Sequence, residues 1–244
     1  MTSESQEYAP FSSVLEILYQ DEHFVAINKP HGLLVHRSKL ASNTNEFAVQ
    51  LLRDQLNKHV HPAHRLDRKT SGVLLFALEK SSLSAIRELF EKEEIKKCYW
   101  AILRGFTKSE ETIDYALTND KGKIQDALTS YMTLDHTEIN VPFGKHPTSR
   151  YSWVEAFPKT GRMHQLRKHF AHIFHPIIGD RPHGCNKQNK LFLEKWDMGT
   201  MLLHARELKF FHPYLQKEIT ITAEPQAEFV RMVKALGFNE QLLG

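Results

Sequence analysis

The 244-residue sequence has two cysteines, Cys98 and Cys185, and no paired cysteine spacing. That excludes a disulfide-stapled scaffold and a Cys-x-x-Cys redox or zinc motif, and it points to a reducing, cytoplasmic setting. Gly-x-Gly and P-loop patterns are absent, so nothing supports a bound nucleotide cofactor. The His-Glu-x-x-His pattern of zinc hydrolases is missing too. Apolar runs are short: the longest, residues 73–78 with their neighbours, is about seven residues against the roughly 20 of a membrane helix. The first dozen residues are polar, with no apolar stretch behind a charged start, so no signal peptide is read there. No repeat or low-complexity tract occurs.

What the chain does have is histidine, 15 in all, and a net charge of only +3 that is unevenly spread. Residues 58–69 hold Lys58, Arg65, Arg68 and Lys69 against one acid, Asp67. Residues 159–169 hold Lys159, Arg162, Arg167 and Lys168 with no acid, and residues 181–195 hold four cations and one acid. Between the first two blocks, residues 79–94 are net acidic. If the basic blocks meet in space they form one positive surface suited to a polyanion; otherwise they are solvated loops. His61 and His64, and His172 and His175, are three apart, but neither pair has a third converging ligand in the pattern. No metal and no cofactor are expected.

Periodicity gives the element order. Residues 15–20 and 24–28 read as a hairpin, 33–35 as a further short strand, and 45–58 as an amphipathic helix. A polar loop over 59–72 leads into an apolar strand at 73–78. Ser81 or Ser82 is expected to cap the next helix, with Leu83, Ile86, Leu89 and Phe90 on its apolar face. Strands are expected at 99–103, 151–157, 201–211 and 218–222, and helices at 162–174 and around Phe229, Val233 and Leu236. Residues 106–150 read as an irregular excursion from the core, with weak strand signals near 130–134. Strands and helices without strict βαβ alternation predict an α+β fold with a mixed, largely antiparallel sheet flanked by helices.

One segment concentrates chemistry: His64-Arg65-Leu66-Asp67-Arg68-Lys69-Thr70-Ser71-Gly72, between a helix and the strongest strand. A carboxylate among three cations is favoured as the anion and can serve as nucleophile or base in a cleft. Alternatively, Asp67 only caps a turn through the amides of Lys69 or Thr70.

This segment resembles the His-Arg-Leu-Asp-x-x-Thr-Ser-Gly signature of the RluA-type pseudouridine synthases. Three further blocks are similar to that family and stand in its order. They are Lys29-Pro30-His31-Gly32 with Leu33 to His36, Gly161-Arg162-Met163-His164-Gln165-Leu166-Arg167-Lys168-His169 with His175 to Asp180, and Leu203-His204-Ala205 with His212-Pro213. The likeness implies a pseudouridine synthase core with a central RNA-binding cleft. Residues 1–13 are then a polar tail and 14–244 a single catalytic domain, with no S4-type RNA-binding domain ahead of it. Phe174 departs from the family pattern, standing where many relatives have Gly.

The reaction so implied breaks the N1–C1′ bond of a uridine, rotates the uracil and rejoins it through C5, without a cofactor. By resemblance Asp67 is the catalytic carboxylate, Arg167 its ion-pair partner, and Tyr99 the aromatic that stacks on uracil and helps remove the C5 proton. Arg65 would enter the space left by a flipped-out nucleotide. His64, Leu203, Arg162, Lys168 and Lys29 would contact the nucleotide or its RNA. Tyr99 and Trp100 alternate, so only one of them can face the cleft. The wording around 15–21, 63–75, 146–151 and 165–180 is most similar to members that modify the uridine at tRNA position 65, in the T-arm stem. The partner is then tRNA, with no membrane and no protein partner implied. The alternatives are a synthase acting on another structured RNA such as rRNA, a non-enzymatic RNA-binding protein, and a histidine-metal hydrolase.

Overall fold

The computed structural model describes residues 14–36 and 46–244. The expected tail at 1–13 and Asn45, the expected start of a helix, lie outside the described residues. Strands β1 (Ile17–Gln20) and β2 (Phe24–Lys29) form the hairpin read from the sequence. One side chain sets its turn: Asp21 Oδ1 accepts from the N–H groups of His23 and Phe24, both at 2.7 Å. Helix α1 (Ala48–Leu56), β3 (His61–Pro62), β4 (Ser71–Ala77), α2 (Lys80–Glu91) and β5 (Lys96–Arg104) follow. Next come β6 (Glu110–Asp114), β7 (Leu117–Thr118), β8 (Ile124–Gln125), β9 (Leu128–Ile139) and β10 (Ser149–Pro158). The last elements are α3 (Gln165–His172), α4 (Asn186–Trp196), β11 (Leu203–Phe211), β12 (Glu218–Thr222) and α5 (Ala227–Ala235).

Ten strands form one sheet in the order β1-β2-β4-β11-β5-β10-β9-β6, with β12 on β11 and β3 on β4. The β4–β11 pair is parallel and the other described pairs are antiparallel, so the sheet is mixed and largely antiparallel, as expected. Strand β4 is buried along its whole length, which is why it reads as an unbroken apolar run. Its Leu74 and Phe76 pack with Ala48 and Leu52 of α1, while Val73, Leu75 and Ala77 pack with Ile86 of α2. Further along, Trp100 and Ile102 of β5 and Tyr151 and Trp153 of β10 lie against Phe192 of α4 and Phe229, Met232 and Val233 of α5. The alternate residues Ala101, Leu103, Val154 and Ala156 lie against Leu166 and Phe170 of α3.

Several local expectations are corrected. Residues 33–35 make one isolated bridge, Leu34 to Phe47, and not a strand. Phe47 precedes α1 and caps it, and the helix stops where Asn57 turns left-handed at φ 50°. Neither Ser81 nor Ser82 caps α2: Glu79 holds that position without a side-chain bond, and the Ser82 hydroxyl is buried against His23 Nδ1 at 3.4 Å. Residues 106–150 are not irregular. They form β6 to β9, and the 12-residue β9 pairs with β10 along ten positions. Helix α3 is shorter than expected, starting only after His164. The basic stretch 181–195 runs into α4, which ends at Trp196 and has no counterpart among the expected helices.

Candidate active site

The parallel seam between β4 and β11 organises the site. At Gly72 (φ +106°) a β-carbon would come within 2.2 Å of the Ala205 carbonyl oxygen, so only glycine permits this approach. Across the seam the Ser71 hydroxyl donates to His204 Nδ1 at 2.8 Å, and His204 Nε2–H donates to the Ala223 carbonyl at 3.0 Å. Burial pushes His204 down to about 4, so the ring is neutral and can serve both bonds. The seam thus ties Leu203, at the head of β11, to the loop 63–70 that leads into β4.

That loop is braced from below by Lys29, at the end of β2. The ammonium is fully buried and donates to the carbonyls of Leu33 (2.8 Å), Pro30 (2.9 Å) and Arg68 (3.2 Å). Burial lowers its pKa to about 7, with the charge of Asp67 acting the other way. Gly32 N–H donates to Arg68 O at 2.8 Å, and Arg68 Nε donates back to Gly32 O at 2.9 Å. The expectation that Lys29 touches RNA is therefore corrected: no solvent-facing part remains, and the residue acts as a brace.

Thr70 N–H donates to the backbone oxygen of Asp67 at 3.0 Å, so the turn closes without the carboxylate. Asp67 instead sends Oδ2 to Arg167 Nη1 at 2.8 Å, with 30% of its side chain exposed. Arg167 is buried, and its other nitrogens fork onto Asp180, which is 1% exposed: Nε to Oδ2 and Nη2 to Oδ1, both 2.8 Å. Burial opposes the charge on Arg167, but the hydrogen bonds it donates to Asp180 and Asp67 outweigh it and raise its pKa. A bidentate fork on one carboxylate fixes the plane of the guanidinium and aims the remaining N–H at the other. His164 Nε2 lies 3.7 Å from the same Oδ2. Oδ1 of Asp67 makes no hydrogen bond among the described residues, so one oxygen is anchored and the other is free.

Asp67 lines a cleft of about 600 Å³ together with His64, Arg65, Tyr99, Arg162, Arg167 and Leu203. Seven of the nine site residues expected from sequence are thus brought together. Trp100 points the other way into the core, as the alternation requires, and its indole N–H donates to Glu155 at 2.9 Å. Burial, and secondarily the charge of Asp67, raise the pKa of Tyr99, so its phenol is neutral at ordinary pH. His64 is pushed down to about 4 by burial and by Lys97, and its Nε2 accepts from Leu75 N–H at 3.2 Å. It therefore presents ring surface to the cleft. Arg65 is exposed, and its side chain has no hydrogen bond or ion pair among the described residues. Lys168 lies outside the cleft lining, with its Nζ on the Thr118 carbonyl at 3.1 Å.

Two cleft-lining residues, Lys97 and His164, and one buried residue behind the cleft, Asp180, carry no assigned role in the sequence reading. Lys97 lines the cleft, reaches the Thr160 carbonyl at 3.2 Å, and is lowered to about 8 by burial. His164 has left-handed backbone (φ 55°) just before α3, and its Nδ1 lies 3.0 Å from His183 Nε2. Asp180 was visible only as the end of a motif. Among the described residues no three His, Cys, Asp or Glu side chains converge as metal ligands, and no helix is long and apolar enough to cross a membrane.

Residues 23–172 match the family model described as RNA pseudouridylate synthase. The chain is 50% identical over 241 residues to tRNA pseudouridine synthase C of Vibrio vulnificus, covering 94% of this chain and 98% of that one. The enzyme of the same name from Haemophilus influenzae is 42% identical, covering 93% and 99%. Among solved structures, Human RNA Pseudouridylate Synthase Domain Containing 4 superposes with a TM-score of 0.68 at 28% identity, over 91% and 93% of the two chains. Human RNA Pseudouridylate Synthase Domain Containing 1 superposes at 0.70 with 24% identity, over 95% and 98%, a likeness of fold. With a family model over more than half its length and relatives matched nearly end to end, the chain belongs to the RNA pseudouridylate synthase family.

Proposed function

We propose that this protein isomerises a uridine in tRNA to pseudouridine, with Asp67 as the catalytic carboxylate. The observation that carries this reading is the asymmetry of Asp67. Oδ2 is held by Arg167, which buried Asp180 orients, while Oδ1 is free beside a cleft large enough for a nucleoside. The reaction breaks N1–C1′, forms C5–C1′, and moves the C5 proton to N1 through acid–base groups. Atoms and electrons balance without an oxidant or a donor. The free oxygen is available as a nucleophile or base, and the neutral Tyr99 phenol is available to stack on uracil and relay the C5 proton.

A uridine paired in a stem must leave the stack to reach Asp67, at a cost of a few kcal/mol. Arg65, exposed at the cleft two residues from Asp67, is a side chain placed to fill the vacated space. Leu203 packs beside the uracil. The names of the relatives support tRNA as substrate, and the motif resemblance read from the sequence is the ground for proposing position 65 in the T-arm stem.

The test compares tRNA from cells with and without the protein by carbodiimide labelling, which marks pseudouridine where mass alone cannot. One pseudouridine should vanish from tRNA, and purified Asp67→Asn should bind tRNA but convert no uridine. Retained turnover in that variant would sink the role of Asp67. A pseudouridine lost from ribosomal RNA instead would overturn the tRNA assignment.

A further inference from the structure

Phe174 follows α3 by two residues and combines two unfavourable features. Its backbone is left-handed (φ 64°), a conformation that favours glycine and is uncommon for an aromatic residue. Its side chain is 87% exposed, the highest value among the exposed large apolar residues of the described chain. An exposed apolar side chain alone is ordinary, but strain and exposure together give the fold nothing back. The local backbone is nevertheless fixed. His175 N–H donates to Phe170 O at 2.9 Å, as in a glycine-type helix C-cap, and His175 Nδ1 lies 2.9 Å from the Arg104 carbonyl oxygen. The ring is thus presented outward from a rigid support.

The surroundings suit a nucleic acid. Helix α3 has no acid, and apart from Arg167, which is buried on its two aspartates, its cation is Lys168. On its flank the rings of Tyr115 and His172 stack at 3.6 Å and 16°, with Tyr115 44% exposed. The N-terminal end of α3 lies at Asp67 and its eight residues span about 12 Å. The aromatic group at its far end therefore stands outside the cleft but within reach of any RNA that fills it. A tRNA is far larger than 600 Å³ and must lie across such a rim.

We propose that Phe174, flanked by the Tyr115–His172 stack, is an RNA contact that stacks on a nucleobase of the substrate tRNA several nucleotides away from the target uridine. The proposal rests on the reading of the protein as a tRNA-modifying enzyme. Stacking on an exposed ring tolerates any base and adds affinity without touching the chemistry.

Phe174→Gly separates the two roles a side chain can have. It relieves the left-handed strain, so the Tm should rise by about 2–4 °C. The KM for full-length tRNA and the directly measured Kd should rise by about tenfold with kcat unchanged. Phe174→Trp should restore both constants. Wild-type KM and Kd in Phe174→Gly would overturn the proposal, and so would a lowered Tm with unchanged KM, which would make the ring a structural group. A wild-type chain that binds tRNA but converts no uridine would sink the isomerase reading, leaving the Kd comparison to decide this one.

Discussion

At the scale of single residues, the site turns on a chain of three charges, Asp67–Arg167–Asp180, in which only the first is partly open to solvent. Asp180 touches neither the free oxygen nor the cleft; it acts through Arg167. Asp180→Asn should therefore lower kcat by about 10²-fold through misorientation of Asp67, with KM for tRNA little changed. Urea unfolding of the same variant should show a loss of about 3–5 kcal/mol, since Arg167 keeps its buried charge with one partner fewer. An unchanged kcat with the stability loss alone would make the fork purely structural. Asp67 and Arg167 were legible because they sit inside ordered motifs. Asp180 was not, because nothing in a 13-residue spacing says that its oxygens meet the guanidinium. That meeting depends on Gly179, where a β-carbon would come within 1.8 Å of the Thr200 carbonyl oxygen. Lys29 was misassigned for the opposite reason: a lysine in a motif reads as a surface cation, and only packing shows an ammonium enclosed by three carbonyls.

At the scale of elements, strands with unbroken or alternating apolar residues were read nearly to the residue, β12 and β4 among them. Helix α4 was hidden by its composition: polar and basic except for Leu191, Phe192, Leu193 and Trp196. Its work is partly mechanical, because Asn189 accepts from Gly179 N–H at 2.9 Å and donates to the Asp180 carbonyl at 2.7 Å. Strands β6 and β9 were obscured because much of their side-chain surface faces solvent, so the apolar count was low although the backbone pairs fully. The β4–β11 seam makes a pH prediction. Folded His204 stays neutral down to about pH 4, whereas in the unfolded chain it protonates near its usual 6.5. Between these values the unfolded chain binds more protons, so stability falls as pH drops from 6.5 towards 4. At 1.36 kcal/mol per pH unit, His204 accounts for about 2–3 kcal/mol of the loss between pH 7 and 4.5. Urea denaturation of wild type and His204→Gln at the two pH values measures it. The variant should lose that much less, and equal losses would remove His204 as the cause.

At the scale of the whole molecule, the basic blocks separated in sequence do converge. Arg65 comes from one and Arg162 and Arg167 from another, all lining the same cleft, while Arg181 of the third is near enough to Lys69 to add to the effect of burial on its pKa. Seven of the 15 histidines sit where their surroundings disfavour the charged ring. His31, His64, His164, His169, His183, His204 and His212 are all lowered, in each case chiefly by burial. Arg65 and Lys159 are the exposed cleft cations whose side chains have no described partner, whereas Arg167 is locked, Lys97 reaches the Thr160 carbonyl and Arg162 donates to the Asp126 carbonyl at 2.9 Å; of the two, Arg65 stands two residues from Asp67. A cation left free at the mouth of a cleft has a use if the substrate brings a gap to fill. On the reading proposed above, Arg65→Ala should reduce kcat/KM on folded tRNA by roughly 10- to 100-fold, because the few kcal/mol of unstacking and unpairing lose their compensation. On an RNA whose target uridine is already unpaired in a loop, no such compensation is needed, and the loss should shrink to a few-fold. Parallel kinetics on the two RNAs decide the matter. Equal losses would make Arg65 an ordinary phosphate contact, since a phosphate is present whether or not the base is paired.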